Sequence, residues 1–208
     1  SVTTKINKIA AEQKPRRFNI NENKFGEQQM NIAEIKTNDI ANGEGVRTSV
    51  FVSGCRHHCP DCFNEIAWDF EYGKPWNEDT QNFILSSSAP PWIAGLSLLG
   101  GEPFEPENQS GLLALIKAFK NRFPQKTVWC YTGFEFEGLN DDSAREMLGY
   151  IDVLVDGKFI EEKKSPALIF RGSSNQRIID IKKTLEAGNV VWLEGVWERA
   201  VGSGNIYE

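Results

Sequence analysis

Three cysteines lie close together on one short segment, with the spacing C-x3-C-x2-C: Cys55, Cys59 and Cys62. Thiolates are soft ligands that select zinc or iron–sulfur centres. A structural zinc site usually takes four protein ligands in separated pairs. Three cysteines can instead hold three irons of a [4Fe–4S] cubane and leave the fourth iron open to a substrate. The spacing therefore favours an iron–sulfur cluster, with a zinc site and a redox-active thiol loop as the alternatives.

Two histidines and a fourth cysteine accompany this segment. His57 and His58 lie between the first two cysteines, and we expect them to tune the cluster or line its mouth rather than bind it, because three cysteines already make a usable site. Cys130 lies in a Trp-Cys-Tyr run and is predicted to be buried and unreactive. Four cysteines with this distribution make a poor disulfide framework, which indicates a reducing compartment.

Short apolar runs that alternate with a helical pattern must position these residues. Strands are predicted at 48–52, 92–99, 127–131, 151–155, 177–181 and 190–193, and a helix at 112–123. Strands separated by helical segments imply parallel pairing with crossovers, hence an α/β fold. The units are too few for an eight-fold barrel, so we expect an open, partial β/α barrel or a wound sheet, with parallel strands and crossover helices.

Polar residues follow four of the predicted strands in turn. Ligands of such folds bind at the carboxyl ends of the strands, so these residues are expected to converge on one site. In chain order they are Cys55, then Gly100, Gly101 and Glu102, then Thr132 and Gly133, then Asp156.

The composition is that of a globular domain with a polar extension. The 208 residues are 40% apolar and 25% charged, with a net charge of −6. Without a dense basic stripe, a nucleic-acid surface is disfavoured. No apolar run approaches the roughly 20 residues of a membrane span. Residues 1–29 are predicted to be a polar extension or linker without the apolar core of a signal peptide, residues 30–208 form the domain, and the protein is predicted to be cytoplasmic.

Several motifs together resemble the radical S-adenosylmethionine superfamily, and within it the activating enzymes of anaerobic ribonucleotide reductase. The resemblance spans roughly residues 30–180 and is more specific than the cysteine spacing alone. It is carried by the runs at 42–47, 51–55, 62–64, 67–70, 100–104, 131–133, 152–157 and 171–177.

The resemblance implies a radical SAM fold and an enzyme that cleaves S-adenosylmethionine reductively at a [4Fe–4S] cluster bound by the three cysteines. The 5′-deoxyadenosyl radical would then make a glycyl radical on the large reductase subunit, with a one-electron donor such as a flavodoxin. A carboxylate after two glycines can hold the ammonium of the methionine moiety, which is the role that the resemblance implies for Glu102. The other implied cofactor contacts are Asn64, Gly100, Gly101, Thr132, Asp156 and Lys158.

Some features depart from the family pattern or lack a role. Asp61 occupies the position before the last cysteine where many members carry an aromatic residue, so Phe63 or the backbone would have to hold the adenine. The arginines of 171–177 could bind carboxylates, of the partner or of the cofactor. Two other functions are also considered: a radical enzyme acting on a small molecule, similar to deazapurine synthases, and a zinc-stabilised interaction module without catalysis.

Overall fold

The computed structural model describes residues 30–195, so the predicted extension at 1–29 and the last thirteen residues of the predicted domain lie outside the described part. One sheet contains β1 (Asn31–Asp39), β2 (Val46–Val52), β3 (Lys74–Pro75), β4 (Ile93–Gly100), β5 (Thr127–Tyr131), β6 (Val153–Asp156) and β7 (Arg177–Asp180). The α-helices are α1 (Glu78–Ser87), α2 (Pro106–Arg122), α3 (Asp142–Leu148) and α4 (Ile181–Ala187). Short 3₁₀ helices cover Glu65–Trp68, Phe136–Gly138 and Glu161–Lys163.

The sheet has the order β3-β1-β2-β4-β5-β6-β7 and is open. Its centre, β2-β4-β5-β6, is parallel, and α1, α2 and α3 lie in the connections between these strands. The α/β class is thereby confirmed, whereas the description as a partial barrel stays a prediction. The expectation of parallel strands is wrong at both edges, because β1, β3 and β7 all pair antiparallel.

The antiparallel orientation of β7 follows from the connection before it. A parallel strand needs a crossover of about a dozen residues or more, usually through an α-helix. Between β6 and β7 the chain forms only the 3₁₀ turn Glu161–Lys163 and loops, so the strand returns beside β6 in the opposite direction. The predicted strand at 190–193 is wrong: it forms one isolated bridge, between Ile179 and Trp192.

Burial on both faces explains the central strands. Every residue of β2 after Val46 is buried, and the Cα partners of β2 and β4 run from Val46–Ile93 to Val52–Gly100. Helix α2 packs its apolar residues against the sheet. It starts at Pro106, six residues before the predicted start at 112. Proline suits this first turn, because a backbone N–H there would have no partner within the helix. The buried residues of α2 that belong to the main core are Leu112, Leu115, Ile116 and Phe119.

A buried arginine holds the amino ends of the central strands together. The guanidinium of Arg47 donates to the hydroxyl of Ser97 at 2.7 Å, to the carbonyl of Leu96 at 2.8 Å, to both oxygens of Thr127 and to the carbonyl of Glu44. Its side chain is fully buried, and this burial lowers the pKa of Arg47 to about 10. Three neighbouring chain segments therefore depend on one side chain at the edge of the sheet opposite the candidate site.

None of the helices between residues 30 and 195 is long and apolar enough to cross a membrane.

Candidate functional site

A cavity of about 430 Å³ at the carboxyl edge of the sheet brings most of the predicted site residues together. Its walls come from the cysteine loop, from the loops after β4 and β5, and from parts of residues 157–176. The predicted site residues that line it are Cys55, Cys59, Cys62, Gly100, Gly101, Glu102 and Thr132, with Gly133 and His57. A second cavity of about 390 Å³, beside Lys120 and Asp152, contains none of the predicted site residues.

The cysteine loop bends sharply between its three cysteines. His58 (φ 46°) and Asp61 (φ 56°) adopt the left-handed conformation, which is uncommon for residues with a side chain, and the backbone N–H of Cys62 donates to the carbonyl of Cys59 at 3.2 Å. These bends let all three thiols reach one cavity. The thiols form no disulfide.

The three thiols differ in burial: Cys55 is buried, whereas Cys59 and Cys62 are partly exposed. Among residues 30–195, no group of three or more histidine, cysteine or acidic side chains is placed to hold one metal ion. A cubane does not require such convergence, because each cysteine binds a different iron. Burial raises the pKa of Cys55 to about 11 and also raises that of Cys59, since a buried thiolate loses its hydration. Direct coordination to iron would deprotonate these thiols.

An ion-pair network ties the cysteine loop to the loop that follows β4. Glu105, which is 4% exposed, accepts from the backbone N–H of Arg56 at 2.8 Å and from its guanidinium. The same guanidinium donates to Glu107 and lies 4.4 Å from the ring centroid of Phe70. Because Arg56 directly follows Cys55, this network fixes the backbone beside the first predicted ligand.

The carboxylate of Glu102 connects three loops around the cavity. It accepts from the backbone N–H groups of Phe104 (2.9 Å) and Gly133 (2.7 Å) and from the hydroxyl of Thr132 (2.7 Å). Nε2 of His57 lies 3.0 Å from its second oxygen. Glu102 is 1% exposed, so the residue predicted to hold an ammonium group is buried and already hydrogen-bonded within the protein.

Three of the predicted site residues do not line the cavity in the described part of the chain. Asp156 is fully buried and its carboxylate accepts from Arg177 and from the backbone N–H of Phe136. Lys158 is exposed but lies near Cys59. The positive charge of Lys158 lowers the pKa of Cys59, although burial raises that pKa by more. Asn64 begins the 3₁₀ turn Glu65–Trp68 without a side-chain capping bond.

Residues without an assigned role fall at the mouth of the cavity or beside it. Phe63 is 83% exposed and, with Asp61, lines the cavity. The ring of His58 stacks on Trp68 at a centroid distance of 4.6 Å. Arg171 lines the cavity and donates to the backbone carbonyl of Gln176 at 2.7 Å.

Sequence reasoning missed two residues that hold the site together. Glu105 gave no signal, because its partner is 49 residues away. Asn108, 1% exposed, donates to the carbonyls of Ser53 and Glu102, both at 2.9 Å. Asn108 precedes the predicted start of the helix at 112, so the apolar pattern did not mark it.

The sequence of this chain matches the model of a known protein family. The model of a family described as "4Fe-4S single cluster domain" matches residues 41–179, which include the three cysteines and the loops of the cavity. Membership of this class supports the binding of an iron–sulfur cluster by this part of the chain.

Individual relatives narrow the class further. The chain is 43% identical over 152 residues to the anaerobic ribonucleoside-triphosphate reductase-activating protein of Pasteurella multocida, covering 72% of this chain and 96% of the relative. The protein of the same name from Escherichia coli K12 is 39% identical, over 71% of this chain and 96% of the relative. That from phage T4 is also 39% identical, over 72% of this chain and 93% of the relative. The chain belongs to the family of anaerobic ribonucleoside-triphosphate reductase-activating proteins.

Proposed function

We propose that this protein cleaves S-adenosylmethionine reductively at a [4Fe–4S] cluster and uses the resulting radical to form a glycyl radical on anaerobic ribonucleotide reductase. Bound in the cavity, the two groups would supply the radical chemistry. A one-electron reduction of the sulfonium would break a carbon–sulfur bond and release methionine, and the 5′-deoxyadenosyl radical would take a hydrogen atom from a glycine to give 5′-deoxyadenosine. The observation that carries the proposal is the presence of the three thiols and Glu102 in one cavity.

Cys55, Cys59 and Cys62 would hold the cluster. Bound there, the cluster supplies an electron and an open iron for the methionine end of the cofactor. Three protein thiolates leave one iron without a protein ligand, which a closed site with four cysteines cannot offer.

The loops after β4 and β5 would bind the methionine moiety. Glu102 would accept from its ammonium, and the glycines before it allow the backbone to approach closely. Gly101 approaches so closely that a Cβ there would lie 2.4 Å from the carbonyl oxygen of Gly54. Thr132 would act through its bond to Glu102. Asn64, Asp156 and Lys158 remain proposed contacts, Lys158 through its charge near Cys59.

The proposed partner is the large subunit of anaerobic ribonucleotide reductase, because the relatives are named as activating proteins of that enzyme. A one-electron donor such as a flavodoxin would reduce the cluster. Phe63 lies exposed at the rim of the cavity, where either the adenine or the partner could contact it.

Anaerobic reconstitution with iron and sulfide tests the cluster. We expect about four irons per chain, loss of iron in Cys59→Ala, and unchanged iron in the matched control Cys130→Ala, whose thiol is fully buried in β5. A colourless protein with one tightly bound zinc would refute the cluster and leave the zinc-stabilised module as the explanation.

Addition of reductant and S-adenosylmethionine to the reconstituted protein tests the reaction. We expect 5′-deoxyadenosine, and a glycyl-radical EPR signal when the large reductase subunit is present. Formation of 5′-deoxyadenosine without that signal, with every candidate reductase, would favour a small-molecule substrate. No 5′-deoxyadenosine from a fully loaded cluster would refute the proposed reaction.

A further inference from the structure

All four acceptor positions of the Glu102 carboxylate are filled by the protein itself. One oxygen accepts from Phe104 and Thr132, and the other from Gly133 and His57. An ionised carboxylate offers about four lone-pair sites and donates nothing, so Nε2 of His57 carries the hydrogen. With the side chain 1% exposed, a further donor can bind Glu102 only where one of the four gives way.

Three of the four donors are fixed by the backbone. Phe104 and Gly133 donate through their own N–H groups. The hydroxyl of Thr132 accepts from the backbone N–H of Phe134 at 3.1 Å, which leaves its hydrogen directed at Glu102. Moving the two N–H groups requires a shift of the loop after β4 or β5, and turning the Thr132 hydroxyl away would also break its bond to Phe134.

His57 is the exception, and its bond of 3.0 Å is the longest of the four. It reaches Glu102 from the cysteine loop through a side chain that can change rotamer without moving the backbone. Its ring packs edge-on against Phe134 at 4.4 Å, and it lines the same cavity as the three thiols. The imidazole is therefore the donor on Glu102 that can leave without a change in the backbone.

We infer that His57 holds the ammonium position on Glu102 and yields it to the ammonium of the cofactor's methionine moiety. This inference rests on the proposed function, since it assumes that Glu102 receives that ammonium. An ammonium brings a full charge and three donors to the carboxylate, whereas the imidazole brings the single hydrogen on Nε2. His57 is thus an internal competitor that lowers the cofactor affinity of the site.

Binding of S-adenosylmethionine to the reconstituted, cluster-loaded protein tests the exchange, measured as a dissociation constant by anaerobic equilibrium dialysis. His57→Leu removes the competing donor and leaves one acceptor of Glu102 unpaired, so we expect about tenfold tighter binding. His57→Gln keeps a donor of similar reach and should stay close to wild type. His57→Gln is thereby the matched control for loss of the donor, because it leaves the cysteine loop otherwise unchanged.

A second ligand and a second variant isolate the cause. 5′-Methylthioadenosine lacks the ammonium, so its affinity should not respond to His57→Leu. Gly133→Ala displaces the imidazole from the other side, because its Cβ would lie 2.4 Å from Cδ2 of His57. Since the backbone N–H of residue 133 remains, Gly133→Ala should also tighten binding of S-adenosylmethionine.

The outcomes separate this inference from the proposed function. Equal or weaker binding in His57→Leu at unchanged iron content overturns the exchange, and so does an equal response of 5′-methylthioadenosine. Loss of iron in His57→Leu also overturns it, because His57 would then serve the cluster. A wild-type protein that carries its cluster but binds no S-adenosylmethionine refutes the proposed function instead.

Discussion

Replacement of Gly101 by alanine should separate the two loops that meet beneath the cavity. The new Cβ would lie 2.4 Å from the carbonyl oxygen of Gly54 and 2.8 Å from that of Ala67. Both are backbone atoms, and the first accepts from the N–H of Glu102 at 2.8 Å. Relief of the overlap must lengthen that bond. Overpacking costs about 1–3 kcal/mol and a weakened buried hydrogen bond about 1 kcal/mol, so we expect a loss of about 3 kcal/mol.

Urea unfolding measures this loss as a lower midpoint at an unchanged m-value. Iron content after reconstitution should also fall, because the displaced oxygen belongs to the residue before Cys55. Gly138→Ala is the matched control, since a Cβ at Gly138 meets nothing within 4 Å, and it should stay within about 0.5 kcal/mol of wild type. If Gly101→Ala loses less than about 1 kcal/mol and loads iron fully, the close approach does not constrain the site.

Three further predictions concern other side chains. Glu105→Gln puts an amide donor against the Arg56 guanidinium and should lower the free energy of unfolding by about 2 kcal/mol. It should also shorten the lifetime of the cluster absorption in air. The same change at the more exposed Glu107 is the matched case and should have the smaller effect, and equal effects would contradict the role given to burial. Arg47→Lys keeps at most three of the five donated hydrogen bonds. It should lower the free energy of unfolding, measured with urea, by about 3 kcal/mol. An effect below about 1 kcal/mol would mean that water or a rearrangement satisfies the freed carbonyls. Burial raises the pKa of Cys130 well above its ordinary value, so the unfolded chain loses this proton at a lower pH than the folded protein does. The stability that this difference provides is fully present below about pH 9 and falls as the pH rises further. The urea midpoint of wild type should therefore fall relative to that of Cys130→Ala above about pH 9, and a constant difference would argue against the raised pKa.

The parallel centre of the fold was predictable because its signals are local. Strands β2, β4, β5 and β6 are short apolar runs, each followed by residues with recognisable chemistry. Strand β1 was missed because most of its residues after Ile32 are partly or fully exposed, so neither an apolar run nor a strict alternation marked it. The direction of β7 depends on the connection at 157–176, whose lack of an α-helix the apolar pattern did not reveal.

The candidate site was predictable to the level of residue types. The spacing of Cys55, Cys59 and Cys62 identified the loop, and the strand ends identified the residues that meet it. The bond between His57 and Glu102 spans 45 residues and depends on side-chain rotamers, which no local pattern encodes. The same holds for the buried Asp156, whose partner Arg177 lies on the antiparallel strand that was expected to run the other way.

The buried guanidinium of Arg47 has a consequence for how such a protein can diversify. It binds the amino ends of the central strands, while the cysteine loop and the loops after β4 and β5 leave from the opposite ends. Substitutions that reshape those loops for a different partner leave the hydrogen bonds of Arg47 unchanged, so any loss of stability is confined to the loops. Lineages can therefore change recognition at one end of the sheet while the other end preserves the fold.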